Sequence, residues 1–288
     1  MSWRTSLLAM CLLWMPGIQG IARAGAVFRI TVENYAEDNA FFEGGESYVT
    51  VTKVEGDRMR MDTQAEDGKL ASTVIFLGET DEMYMIDHKE KTYMVMDRER
   101  IEALGKQLGE AMQQMEEALA QVPPAQREMM ERMMKGKMPG QNYEPPSPPV
   151  VTDLGESGSV NDVACQWKKV TRDDVLSEKA CVCDQSAIAG GEEMVALAHE
   201  MRDFAEGLMR IANSASNFKM LGGGTMGDFA AGTVADLGGF SLISESYDGE
   251  EKLIKRSTFE SADEVSIPNE EFTPPSGYKR QDLESIAR

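Results

Sequence analysis

Sulfur is the element whose placement suggests chemistry in this sequence. The chain holds 21 methionines, more than its 10 phenylalanines and 7 tyrosines together, so thioethers must fill much of any core it builds. Several stand in pairs: Met59/Met61, Met83/Met85 and Met94/Met96 as Met-x-Met, and Met112/Met115 as Met-x-x-Met. Thioether sulfur is a soft ligand suited to copper(I) or silver(I), but the same spacings are the strand and helix periods of an ordinary core. In MYMIDHKEKTYMVMD, residues 83–97, a hairpin looping at Lys89 and Glu90 pairs residues whose numbers sum to 179. Met83 then faces Met96 and Met85 faces Met94 on one side, while Tyr84/Val95 and Ile86/Tyr93 occupy the other. Both sides are apolar, so the hairpin is expected to be covered twice. The four thioethers form the alternative metal set.

The cysteines point to a staple. Cys165, Cys181 and Cys183 lie on two strand-like runs joined near Asp173 and Asp174. Cross-strand sums of 346 or 348 set Cys165 opposite Cys181 or Cys183 respectively. A disulfide from Cys165 to one of them is expected, with the other left free. No Cys-x-x-Cys is present, which argues against a thioredoxin-like oxidoreductase.

Other catalytic constellations are weak. The two histidines, His88 and His199, are far apart in the sequence and do not make a His-rich zinc site. Residues 155–159, GESGS, lack the second glycine of a serine nucleophile elbow. The GGGTMG string at 222–227 follows a helical pattern rather than a strand, so it reads as a loop and not as a dinucleotide fingerprint. With 49 acidic residues, paired carboxylates carry no signal. These observations favour a protein that is not an enzyme and needs no cofactor.

The first residues set the compartment. Arg4 precedes an apolar run from Leu7 to Met15, and Ala22 and Ala24 give the small-x-small pattern read by signal peptidase. The expected product is periplasmic, cleaved near Ala24, with residues 25–288 as a single domain. Its apolar run is shorter than the ~20 residues that span a bilayer, and no stable membrane span is expected. The formal charge of −20 disfavours nucleic acid and anionic headgroups.

The elements that must position these residues follow from hydrophobic period. VFRITVENY, SYVTVTKVEGDRMRMDT and LASTVIFLG alternate with period two and lead into the methionine hairpin, giving about six antiparallel strands. From Arg98 the period lengthens: Ile101, Leu108, Met115 and Val122 are seven apart, and Pro123 and Pro124 end the helix. A second helix carries Met129, Met130, Met133, Met134 and Met138, so residues 98–138 read as a methionine-rich helical hairpin. Residues 139–149 are a proline-rich linker. The cysteine hairpin follows, then a helix over about Glu192 to Asn213, then FSLISESYD and KLIKRSTFESADEV as strands turning at Asp248 and Gly249, and an extended tail. Strand runs interrupted by helices predict an α+β fold: a curved antiparallel sheet, an incomplete barrel, covered by helices.

The order of GDRMRMDT at 56–63, MYMIDHKEKTYMVMD at 83–97, VNDVACQWKKVTRDD at 160–174, and GGFSLISESYDGEEKL followed by EEFTPPSGYKR resembles that of an uncharacterised family of exported bacterial proteins similar to the lipoprotein-localisation factors LolA and LolB. The resemblance implies the half-barrel just described, with an apolar interior that in relatives receives acyl chains. The function expected is non-catalytic binding of a lipid, lipoprotein or other apolar ligand between sheet and helices. Met112, Met115, Met129, Met130, Met133 and Met134 would form the lid face. Copper(I) or silver(I) binding by methionine clusters, and an envelope structural or partner-binding role without small ligand, are the alternatives.

Overall fold

A computed structural model describes residues 25–35, 47–100, 147–214 and 237–281, together with 102, 103, 106, 110, 113 and 114. Among the described residues twelve strands form one sheet: β1 (Gly25–Asn34), β2 (Ser47–Glu55), β3 (Arg58–Ala65), β4 (Leu70–Leu77), β5 (Glu82–Asp87), β6 (Thr92–Asp97), β7 (Val150–Val160), β8 (Val163–Arg172), β9 (Val175–Cys183), β10 (Phe240–Tyr247), β11 (Leu253–Val265) and β12 (Lys279–Arg280). Their order is β12-β6-β5-β4-β3-β2-β1-β11-β10-β9-β8-β7. Strands β2 to β6, β7 to β9, and β10 with β11 follow one another through short turns and pair antiparallel, as a meander does, whereas β9 reaches its neighbour β10 only through the segment that contains the long helix Gly191–Ser214. The exceptions in kind are β11, which closes on β1 across the sequence, and β12, which runs parallel to β6.

This corrects the α+β expectation. Among the described residues sheet dominates, the sheet is mixed rather than purely antiparallel, and helices do not cover it. The long helix packed on it is α1, Gly191–Ser214, predicted to within a residue at each end by its apolar period. Residues 98–100, 102, 103, 106, 110, 113 and 114 are helical, in line with the period read from Arg98 onward. The second helix of the expected hairpin and the loop at 222–227 lie outside the described residues.

One hydrogen bond shows that the sheet coils. Asn161, in the β7–β8 turn, donates its Nδ2 to the Glu260 carbonyl of β11 over 2.7 Å. Strand β8 stands three places from β11 in the order, which on a flat sheet is about 14 Å at the usual strand spacing of ~4.8 Å. Twist and the register shifts in β9–β10 and β10–β11 bring those edges inward. The inner face holds one continuous apolar cluster that runs from Met83 and Met96 through Phe28 and Val54 to Phe240 and Cys181, and α1 inserts Met194, Leu197, Met201 and Phe204 into it.

Both sheet edges are blunted. On β6, the amides of Lys279 and Gln281 donate to the carbonyls of Lys91 and Tyr93, and the Arg100 guanidinium takes the next outward carbonyl, Val95, at 3.0 Å. The β7 edge carries the charges Asp153 and Glu156 and a register shift between Asp153 and Ser157. Such devices disfavour pairing with another chain.

Candidate functional site

The regular ladders of β1 to β6 arrange the inner face in rows. The first row runs Ala26, Val54, Met59, Phe76, Met83, Met96 across six strands, and no member is more than 2% exposed. Fully burying a side chain of this size contributes about 1.5–3 kcal/mol, and Phe76 meets Phe204 of α1 edge-on at 5.8 Å. The second row is Phe28, Thr52, Met61, Val74, Met85, Met94. Its last two members, Met85 and Met94, are only half-buried. The third row is Ile30, Thr50, Thr63, Ser72, Asp87, Thr92, so hydroxyls and one carboxylate adjoin the thioethers. The gradient is from a sealed apolar row, through an accessible thioether pair, to hydrogen-bonding groups.

The predicted metal set is thus brought onto one face. Met83 faces Met96 and Met85 faces Met94, the register expected from the sequence. The ladder closes at Asp87 and Thr92, so the loop is four residues, 88–91, with Lys91 at φ +52°; the register is unaffected because the added rungs are symmetric. The six lid methionines, Met112, Met115, Met129, Met130, Met133 and Met134, lie outside the described residues. Cys165 is bonded to Cys181, and Cys183 is free and buried. Burial pushes the Cys183 thiol above its ordinary range. Among the described residues no three His, Cys, Asp or Glu side chains group as a metal site.

The outer face of the same strands holds a polar cluster that sequence reasoning missed. Arg60 and Asp62 alternate with Met59 and Met61, a pattern that reads as a solvated face. Both are buried. The Arg60 Nε lies 2.9 Å from each Asp62 oxygen, and Lys53 is 3.8 Å from that carboxylate. Thr73 Oγ1 is 2.6 Å from Asp62 Oδ1 and 2.8 Å from His88 Nε2, while His88 Nδ1 is 3.0 Å from the Tyr278 hydroxyl. A carboxylate only accepts, so Thr73 donates to Asp62 and its oxygen takes the His88 Nε2–H, while Nδ1 and the Tyr278 hydroxyl share a hydrogen bond in which either can donate. Burial of the ring lowers its pKa and favours the neutral form, partly offset by the charge of Asp62.

The residues that cover this cluster come from the tail. After β11 the chain crosses the outer face as a strap: Glu271 bonds Lys53 at 2.7 Å, its carbonyl accepts from Arg60 Nη1 at 3.0 Å, and Phe272 buries against Ile75, Ile86 and Ile267. The Arg58 guanidinium lies 4.5 Å from the centre of the Phe272 ring. Tyr84, Tyr93 and Tyr278 complete the apolar part. The outer face of the methionine hairpin is therefore covered, while its inner face is sealed at Met83 and Met96 and left half-buried at Met85 and Met94. The available signal was the tail itself: Ile267, Phe272 and Tyr278 are apolar residues in a proline-rich stretch that would have no reason to carry them if it were free in water.

Comparison with known proteins adds the following. Residues 43–119 match a domain of unknown function, DUF4412. That stretch spans β2 to β6, the strands that carry the methionine rows and the polar cluster. No curated protein matches the chain. Among solved structures, an uncharacterized conserved protein from Thermus thermophilus is similar at 5% identity, with 88% of this chain and 89% of that one covered and a TM-score of 0.41. MucB aligns at 10% identity over 90% of this chain and 60% of its own, with a TM-score of 0.35, and PNGF-II at 6% over 92% and 32%, with a TM-score of 0.36. Among the described residues no helix is long and apolar enough to cross a membrane.

Proposed function

We propose that this is an exported, non-catalytic binding protein of the cell envelope whose methionine-lined sheet face receives the acyl chain of a lipid or an acylated protein. One observation carries the reading: Met85 and Met94 stand half-buried at the end of the second inner row, beside the sealed first row, with Asp87 and Thr92 two residues further along the same face. An acyl chain laid against the two thioethers gains about 0.8 kcal/mol for each methylene removed from water. Unbranched, polarizable methionine side chains adjust to chains of different shape, and the hydroxyl row gives the ligand's polar end hydrogen-bonding partners. The leader-like first 24 residues support export, and the resemblance to lipoprotein-localisation factors points the same way.

The test is binding of a fluorescent sixteen-carbon acyl probe to the full chain. Charging the thioether pair in a Met85→Glu, Met94→Glu double variant should weaken binding at least ~30-fold, about 2 kcal/mol, while circular dichroism stays that of the wild type. Absence of binding to the wild type, or equal binding to the folded double variant, refutes the proposal.

The facing pairs Met83/Met96 and Met85/Met94 also favour a second reading, copper(I) binding by thioethers. Burial of Met83 and Met96 confines the open coordination sphere to Met85 and Met94. Copper(I) titration under reducing conditions decides it: stoichiometric binding tighter than micromolar, lost in the same double variant, is the required result.

A further inference from the structure

The thioethers of the inner face fall into two groups. Among the described residues, Met59, Met61, Met83, Met96, Met194 and Met201 belong to the buried cluster, and none is more than 7% exposed. Met85 is only partly buried against that cluster, and Met94, its cross-strand partner, is half-buried. The two accessible sulfurs are therefore a facing pair, carried on Cβ atoms about 4.5–5.5 Å apart in such a register. They border the polar third row at Asp87 and Thr92, both half-buried, where water already reaches this face. A leucine pair would offer the same apolar surface, but only a thioether also takes up oxygen reversibly.

We infer that Met85 and Met94 form an oxidant-sensitive switch on the apolar site: a peroxide converts them to sulfoxides, and the site then loses its acyl ligand. The inference rests on the acyl-binding reading above. In each step a sulfur lone pair attacks one peroxide oxygen; the S–O bond forms as the O–O bond breaks, sulfur is oxidised by two electrons, and the other peroxide oxygen leaves as water once it has taken up the proton. A dithiol reverses the step, returning the thioether with one disulfide and one water. Access decides which sulfurs react. The oxidant must touch the sulfur, so the six buried thioethers wait on local opening, whereas Met85 and Met94 are reached in the native state. The sulfoxide oxygen is a hydrogen-bond acceptor. In the free protein water satisfies it, so the fold persists; beneath an acyl chain it has no donor, and an unpaired polar group buried in this way weakens binding by roughly tenfold or more.

Peptide mapping of the full chain during treatment with dilute hydrogen peroxide tests this. Of the eight methionines named above, Met85 and Met94 should become sulfoxides first, with circular dichroism unchanged. At that stage affinity for the sixteen-carbon acyl probe should be at least ~10-fold weaker, and a methionine sulfoxide reductase supplied with its dithiol should restore it. A Met85→Leu, Met94→Leu variant should hold, after the same treatment, whatever affinity it had before. Uniform oxidation of the eight, undiminished affinity with both positions oxidised, or a fall in the leucine variant equal to that of the wild type overturns the inference. An untreated wild type that does not bind the probe refutes the acyl reading and the switch with it; binding that survives oxidation of the pair refutes the switch alone.

Discussion

Phe272→Ala isolates what the strap contributes. The ring is 2% exposed and packs on Ile75, Ile86 and Ile267. Truncating a buried phenylalanine costs about 3–5 kcal/mol when the cavity stays open, and losing the Arg58 contact adds roughly 0.5–1 kcal/mol at a partly exposed site. Release of the strap as a unit caps that cost, because the free energy lost cannot exceed what holds the strap down. The two results separate by hydrogen exchange. If the strap stays, global stability in urea falls by about 3–5 kcal/mol and exchange quickens throughout. If it lets go, the fall is smaller and the fastest new exchange is at the amides of Lys279 and Gln281, which donate to Lys91 and Tyr93. A loss under about 1 kcal/mol with those two amides still protected would refute the assignment of Phe272 as the strap's anchor.

Two further substitutions probe the same assembly. His88 is held neutral, its folded pKa below the ordinary 6.5 through burial, so its contribution is fully present above that pH and is lost as pH falls through the folded value. His88→Gln should flatten the acid side of the stability profile measured by urea unfolding between pH 7 and 4, and an unchanged slope would reject the link. Gly25→Val should cost about 1–3 kcal/mol by overpacking, since a Cβ there meets Ile267 Cδ1 at 2.6 Å and the Val54 carbonyl at 2.8 Å; thermal unfolding unchanged from wild type would show that Ile267 does not cross β1 there.

What was legible in the sequence was whatever local alternation alone decides. The pairing of residues 83–97 followed from its own pattern, because a one-residue slip would have scattered methionines to both faces. Strand β7 was not foreseen: Val150–Val160 contains Gly, Ser, Asp and Glu at most positions, as suits an edge, and its only clear mark is the turn at Asn161 and Asp162, both at positive φ. The cysteine register stayed open between two sums for a physical reason as well. The ladder keeps the sum of 348 from Val170↔Glu178 to Gln166↔Val182, but it ends there, and at the next residue Cys165 is bonded to Cys181 with Cα atoms 5.3 Å apart, the spacing of opposed residues. Helical cover was overestimated because amphipathic periodicity reports that a segment has an apolar face, not what that face packs on.

Strands β3 to β5 perform two tasks in one register. Met59 and Met61 face inward while Arg58, Arg60 and Asp62 face outward, and Ile75 and Phe76 divide in the same way. Because side chains alternate strictly, the charged cluster cannot be satisfied unless the methionine rows are in place, and the converse also holds. Asp62 is then the residue that couples the faces. As Asp62→Ala it would leave Arg60, buried beneath the strap, with only the longer carboxylate contact to Glu271 at 3.6 Å, a loss of up to about 3–5 kcal/mol, the cost of a broken buried pair. The acyl probe should still bind to whatever fraction remains folded, because no inner-face group has been touched. Loss of stability with probe affinity retained is the outcome expected if the outer cluster sets the register and the inner thioethers do the binding; affinity that falls in the folded fraction would place part of the ligand's site under the strap.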